Sequence, residues 1–204
     1  MPFLRNKKKT KDKATMSGNN RHPDLFTREN SAVLLIDYQE RFVPVLKDND
    51  ETVKNIKLLL SGADIYGVPV YVSEQVPEKL GSTIQELKEL VPKAKFFSKK
   101  TMSCCGQAGF VEELKNKKIK KVAICGIEAH VCVLQTSLDL IHNGFQVHLA
   151  SDAVTARLPH NKPIAIEKIK STGGIISSVE TVLFEMAYEA GTEEFKKLQQ
   201  LFKS

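Results

Sequence analysis

The 204-residue sequence predicts an α/β fold, a parallel sheet covered by helices on both sides. Two observations carry this. Six short apolar runs recur, each bounded by turn chemistry: AVLLI (32–36), VPVYV (68–72), KFFS (95–98), KVAIC (121–125), QVHLA (146–150) and GIISS (174–178). Their hydrophobicity is nearly continuous, as in strands buried on both faces. The stretches between them have helical periodicity, and strand–helix–strand repeats with short loops imply parallel pairing. The length suits one domain with a real core, and no internal repeat is present.

The chain opens with a basic segment. Residues 1–30 hold eight Lys/Arg against three Asp/Glu, so of the net +6 only about +1 belongs to residues 31–204. The expectation is a disordered N-terminal arm over 1–30 and one folded domain over 31–204, whose charge makes no case for a nucleic-acid face. The arm lacks the apolar core of a signal peptide, and nothing later reaches the roughly 18 apolar residues of a membrane span. The protein is expected to be soluble and cytoplasmic, with mitochondrial import as the alternative.

Strand AVLLI runs into Asp37, and a helix follows in TVKNIKLLLSGADIYG, where Val53, Ile56, Leu59, Leu60 and Ala63 recur at helical spacing before Gly67 and Pro69. Strand KFFS runs into Lys99 and Lys100. Strand KVAIC leads through Gly126 to Cys132, after which Val131, Leu134, Leu138 and Ile141 share one helical face and Asn143-Gly144 ends it. STGG (171–174) makes the turn into the last strand. Four cysteines, at 104, 105, 125 and 132, show no zinc-ligand spacing, so reduced thiols are expected.

In parallel α/β sheets, ligands bind outside the carboxyl ends of the strands. Asp37, Lys100 and Cys132 fall there. A cysteine at a helix start is placed for a lowered pKa and a nucleophilic thiolate, although a packed, inert thiol is an alternative. Asp37 is either a helix N-cap for YQERFVPVL or a carboxylate able to exchange a proton with a thiol. Lys100, with Lys99 beside it, is either solvated charge or the ammonium that stabilises a thiolate.

LLIDYQERF, SEQVPEKLG, KKTMS and GIEAHVCVLQTSLDLIHNGFQVHLASDA resemble the isochorismatase-like cysteine hydrolases, in particular their eukaryotic domain-containing branch. The resemblance spans about residues 30–200 and implies a three-layer α/β/α fold with a six-stranded, mostly parallel, doubly wound sheet. It implies a catalytic Asp37, Lys100 and Cys132, with Lys99 the alternative lysine, since the family's KT-x-FS reads KTMS here. It also implies a cis peptide between Ile127 and Glu128, so that the N–H groups of Glu128 and Cys132 form an oxyanion hole. Gln39, Phe42, Gln75 and Ile127 are the expected pocket lining.

The implied activity is hydrolysis of a small amide or related C–N bond through a thioester, by a homo-oligomer acting on a small molecule. No metal and no cofactor are expected, because VSEQVPEKLG lacks the histidine of the Asp-x-His metal group that marks the nicotinamidase branch. Isochorismatase proper, which cleaves a vinyl ether without a cysteine, is a poor guide to substrate. The rival from another class is a non-catalytic binding or scaffold protein that keeps the fold. A Cys-His dyad with His130 is disfavoured, since residues two apart on a helix point away from each other. A cysteine phosphatase needs arginine six positions after its nucleophile, where Leu138 stands, and no phosphate-binding glycine motif is present.

Overall fold

All six residues of the first strand, β1 (Ser31–Ile36), are buried, as a strand covered on both faces requires. The computed structural model describes residues 21–203. The other strands are β2 (Val70–Gln75), β3 (Lys95–Lys99), β4 (Lys121–Gly126), β5 (Gln146–Val154) and β6 (Ile175–Ser177). They lie in the order β3-β2-β1-β4-β5-β6, and every pairing is parallel. The expected second strand was placed early. Val68 and Pro69 are the connection, and the pairing extends to Gln75.

Alternation along β1 sorts the core into two halves. Val33 and Leu35 face α1 (Asn49–Ile65), α7 (Val179–Ala187) and α8 (Glu193–Leu201), against which Val53, Ile56, Leu59, Leu60, Val182, Leu183 and Leu198 pack. Ala32, Leu34 and Ile36 face α4 (Phe110–Asn116), α5 (Leu134–His142) and α6 (Asn161–Ser171). The predicted stripe of α1 is buried throughout, and Gly67 turns the chain after it at φ +66°. Two short helices, α2 (Pro77–Leu80) and α3 (Gln85–Lys88), join β2 to β3.

The helix after Cys132 departs from its expected phase. A π-helical turn over Ala129–Val133 precedes α5, and the extra residue shifts full burial toward Val133, Thr136, Ser137 and Leu140; of the expected stripe Leu134 is buried, while Val131, Leu138 and Ile141 pack half-buried against the same core. Thr136 and Ser137 tolerate this because each is paired. Thr136 Oγ1 accepts from the Cys104 N–H (2.9 Å), and Ser137 Oγ donates to the Val133 carbonyl (2.7 Å).

Of the expected N-terminal arm, residues 1–20 lie outside the described residues. Residues 21–30 pack on the domain. Phe26 is fully buried, its N–H donates to Glu185 Oε2 (2.8 Å), and its ring meets that of His148 edge-on at 5.1 Å. Burial pushes His148 down to about 4, helped by the Lys121 charge and opposed by Asp24. The native state therefore holds His148 neutral, whereas the unfolded chain binds a proton below about 6.5. The stability this group contributes is present above about pH 6.5 and is lost as the pH falls toward 4. Urea unfolding at pH 7 and pH 4.5 is expected to show the native protein losing about 2–3 kcal/mol more than His148→Leu. Equal losses in the two proteins would contradict this account.

Candidate active site

The strand order reverses direction between β1 and β4, and that switch point opens a crevice beyond their carboxyl ends. Gly126 makes the crevice tight. It sits at φ +113°, and a Cβ there would lie 2.1 Å from the Ile36 carbonyl oxygen. Only glycine lets the end of β4 press so closely on the end of β1. The Ile127 N–H donates to that same carbonyl (2.9 Å), and the Ile127–Glu128 peptide is cis. The chain then turns into Ala129–Val133, carrying Cys132 back over β1.

Asp37 follows β1 at φ +49°, a left-handed conformation that aspartate tolerates better than most residues. It caps no helix; the next helical element is a 3-10 turn over Val43–Val45, whose N-cap is Phe42. Instead its carboxylate, 1 % exposed, is bonded at both oxygens. Oδ1 accepts from Ser73 Oγ (2.7 Å) and Oδ2 from Lys99 Nζ (2.7 Å).

The lysine is Lys99. Its side chain is wholly buried, whereas Lys100 points to solvent, which corrects the expectation that Lys100 joins Asp37. Strand geometry is the reason. Side chains alternate, so Lys99 falls on the face of Phe97, which packs on the core, and its neighbour falls on the other. Lys99 Nζ also meets Gln75 Oε1 (2.6 Å) and the carbonyls of Thr101 (3.2 Å) and Met102 (3.0 Å), four acceptors for three protons. Burial alone would lower its pKa, but the charge and hydrogen bond of Asp37 lead the contributions that outweigh it, and the pKa of Lys99 is raised.

Cys132 completes the group, its thiol electrostatically coupled to both Asp37 and Lys99. The residue keeps 7 % of its surface exposed. Its pKa is raised, by burial first and the Asp37 carboxylate second, with Lys99 opposing. The lowered value expected from a helix start is therefore overturned. Desolvation outweighs the dipole, and the residue lies inside the π-helical turn instead of at the first N–H groups of α5. Cys125 is fully buried, with a raised pKa and its sulfur 3.8 Å from the Leu34 carbonyl, as an inert thiol should be.

The expected pocket lining divides. Gln39 is fully buried and spent on the backbone: Nε2 donates to the carbonyls of Gln75 (3.1 Å) and Gly81 (2.6 Å), and Oε1 accepts from the Gln75 N–H (2.7 Å). Gln75 is spent likewise, Oε1 on Lys99 and Nε2 on the Lys100 carbonyl (2.9 Å). Ile127 has no exposed surface and packs in the core beside α1. These three brace the site instead of lining it; Phe42 alone stays half-exposed. Glu128 turns its carboxylate to Arg157, accepting from its N–H and Nε at 3.0 Å each.

Sequence reasoning missed Ser73 and Arg157. Ser73 carried a faint signal, a hydroxyl inside an apolar strand, while Arg157 was one cation among 30. A cavity of about 280 Å³ lies beside Lys99, lined by Val76, Pro77, Lys100 and Thr101. A larger one of about 610 Å³, against Val53, Leu58 and Leu90, is remote from the thiol and shares no residue with the site. Among the described residues no group of three His, Cys, Asp or Glu side chains could hold a metal ion, and no helix is long and apolar enough to cross a membrane.

A parallel three-layer α/β protein with a carboxylate, an ammonium and a thiol gathered at its switch point defines a class, and the comparisons give that class a family. The isochorismatase domain matches residues 31–181. The chain is 36 % identical over 182 residues to a secreted isochorismatase effector, Isc1, of Phytophthora sojae, covering 85 % of this chain and 84 % of that protein. It is 37 % identical over 178 residues to isochorismatase domain-containing protein 1 of Danio rerio, covering 85 % of this chain and 61 % of the relative. Among solved structures, a MAR1 ribonuclease from Caenorhabditis elegans matches with a TM-score of 0.82 at 33 % identity, over 87 % of this chain and 92 % of that one. The chain belongs to the isochorismatase family, and its fold is that family's hydrolase fold.

Proposed function

We propose that the protein is a cysteine hydrolase that cleaves a small amide or related C–N bond, with Asp37, Lys99 and Cys132 as its catalytic residues. The observation that carries this is the electrostatic coupling of the buried Asp37–Lys99 pair to the Cys132 thiol, which keeps some exposed surface while the neighbouring Cys104 has none. Because the thiol is held protonated at rest, its proton moves as the bond forms. Asp37 takes it while Sγ attacks the carbonyl carbon. Lys99 stays charged and balances the anion that develops. The N–H groups of Glu128 and Cys132 hold the oxyanion, each well-placed donor lowering the barrier by a few kcal/mol.

Collapse of the tetrahedral adduct breaks the C–N bond, and Asp37 returns its proton to the departing amine. A water then attacks the thioester, Asp37 takes a proton from it, and the acid leaves as the thiol is restored. The reaction needs no metal in this reading, since β2 ends in Glu74 and Gln75 and the stretch after it, VPEKLG, offers no histidine.

The test is intact-mass detection of an acyl adduct across a panel of small amides, with Cys132→Ala as control. An adduct on the native chain that the variant lacks is the expected result. A folded protein that forms no adduct with any amide would favour a scaffold. The name of the C. elegans relative raises RNA as a second substrate, so an oligoribonucleotide belongs in the panel. Its cleavage at equal rates by native protein and Cys132→Ala would overturn the thiol mechanism.

A further inference from the structure

We propose that Ser73 is a positioning residue for Asp37: its hydroxyl, bonded to Oδ1, fixes which carboxylate lone pair faces Cys132. This rests on the reading that Asp37 carries the Cys132 proton.

The Lys99 contact by itself leaves the carboxylate a hinge. A carboxylate bonded at one oxygen can still rotate about Cβ–Cγ, a broad torsion in aspartate. Ser73 removes that freedom by donating to Oδ1 from a different strand than the one that supplies Lys99 to Oδ2. The same two residues are joined through the backbone, where the Asp37 N–H donates to the Ser73 carbonyl (3.1 Å) beside the Ile36–Ser73 register pair. Ser73 is 0 % and Asp37 1 % exposed, so no bulk water competes for the hydroxyl.

The groups that face Asp37 come from four elements. Ser73 comes from β2, Lys99 from β3, Cys132 from the π-helical turn and Cys104 from the 3-10 turn over Cys104–Gly106. Three of them titrate. Ser73 does not, and its bond favours the charged carboxylate at every pH. It therefore moves an existing midpoint without adding a new one. Cys104, fully buried and pushed up to about 11 by burial, remains a neutral thiol through this range.

The experiment measures the rate of Cys132 alkylation by iodoacetamide against pH in the full chain, with the site identified by peptide mass. Ser73→Ala is expected to move the acid-side midpoint up by about one pH unit, roughly tenfold tighter proton binding, as loss of one donor to a buried carboxylate implies. Ser73→Thr, which keeps the hydroxyl, is expected to return the midpoint to the native value. A purely structural role would lower the melting temperature and leave the midpoint in place, and a folded Ser73→Ala with the native profile overturns the proposal. Should Ser73→Ala not fold, Ser73→Gly is held to the same shift. Asp37→Asn separates the two ideas. If it abolishes the acid-side midpoint while Ser73→Ala changes nothing, only the role of Ser73 falls; if it leaves the profile intact, the reading of Asp37 falls first and Ser73 with it.

Discussion

Asp37→Ala is expected to destabilise the protein by about 3–5 kcal/mol, and the double variant Asp37→Ala/Lys99→Met to recover most of that loss. The single change removes the only side-chain anion, among the described residues, bonded to the Lys99 ammonium, whose side chain has no solvent contact. Gln75 and two carbonyls remain, but they are neutral dipoles and cannot balance a full charge. Replacing both partners removes the buried charge altogether, which is often neutral or favourable in a core. Urea unfolding of native, single and double variants decides the matter. A double variant no more stable than Asp37→Ala would mean that the pair is not the source of the loss. Such a result would be hard to reconcile with two fully buried partners 2.7 Å apart.

The second large effect belongs to Gly126→Ala, expected to cost at least about 3 kcal/mol and to change the rate and pH profile of Cys132 alkylation. Two penalties add here. An alanine is strained at φ +113°, and its Cβ would meet the Ile36 carbonyl oxygen at 2.1 Å and the Ile36 nitrogen at 2.6 Å. Those are backbone atoms of a central strand, so they cannot swing aside as a side-chain tip would. The chain must instead lift the end of β4 away from β1, and the turn that brings Cys132 to Asp37 lifts with it. Gly67→Ala is the matched control. It also sits at positive φ, but nothing lies within 4 Å of its added Cβ. A Gly126→Ala protein with the stability and alkylation rate of Gly67→Ala would contradict the close-approach argument.

How far the sequence reached can be judged residue by residue. Strand identity was legible because β1 and β4 are buried on both faces and so read as unbroken apolar runs. The α1 stripe was legible for the same reason, one face of a long helix lying on the sheet. The choice between Lys99 and Lys100 was open, since adjacent lysines differ only in the parity of the strand that carries them. That parity is set by pairing with β2, where Gln75 stands opposite Lys99. Gln39 and Gln75 were expected to line the pocket. Here the chain after β2 folds back over them, and their amides are consumed by its carbonyls.

By itself the sequence determined the fold class, the presence of the six strands and most of the groups from which a site could be built. All of these depend on periodicity and spacing along one chain. Only the tertiary structure decided which lysine meets the carboxylate, that Ser73 completes its shell, and that burial raises the thiol's pKa. Each of those turns on contacts between residues dozens of positions apart and on how much water is excluded around them, quantities that exist only once the strands are side by side.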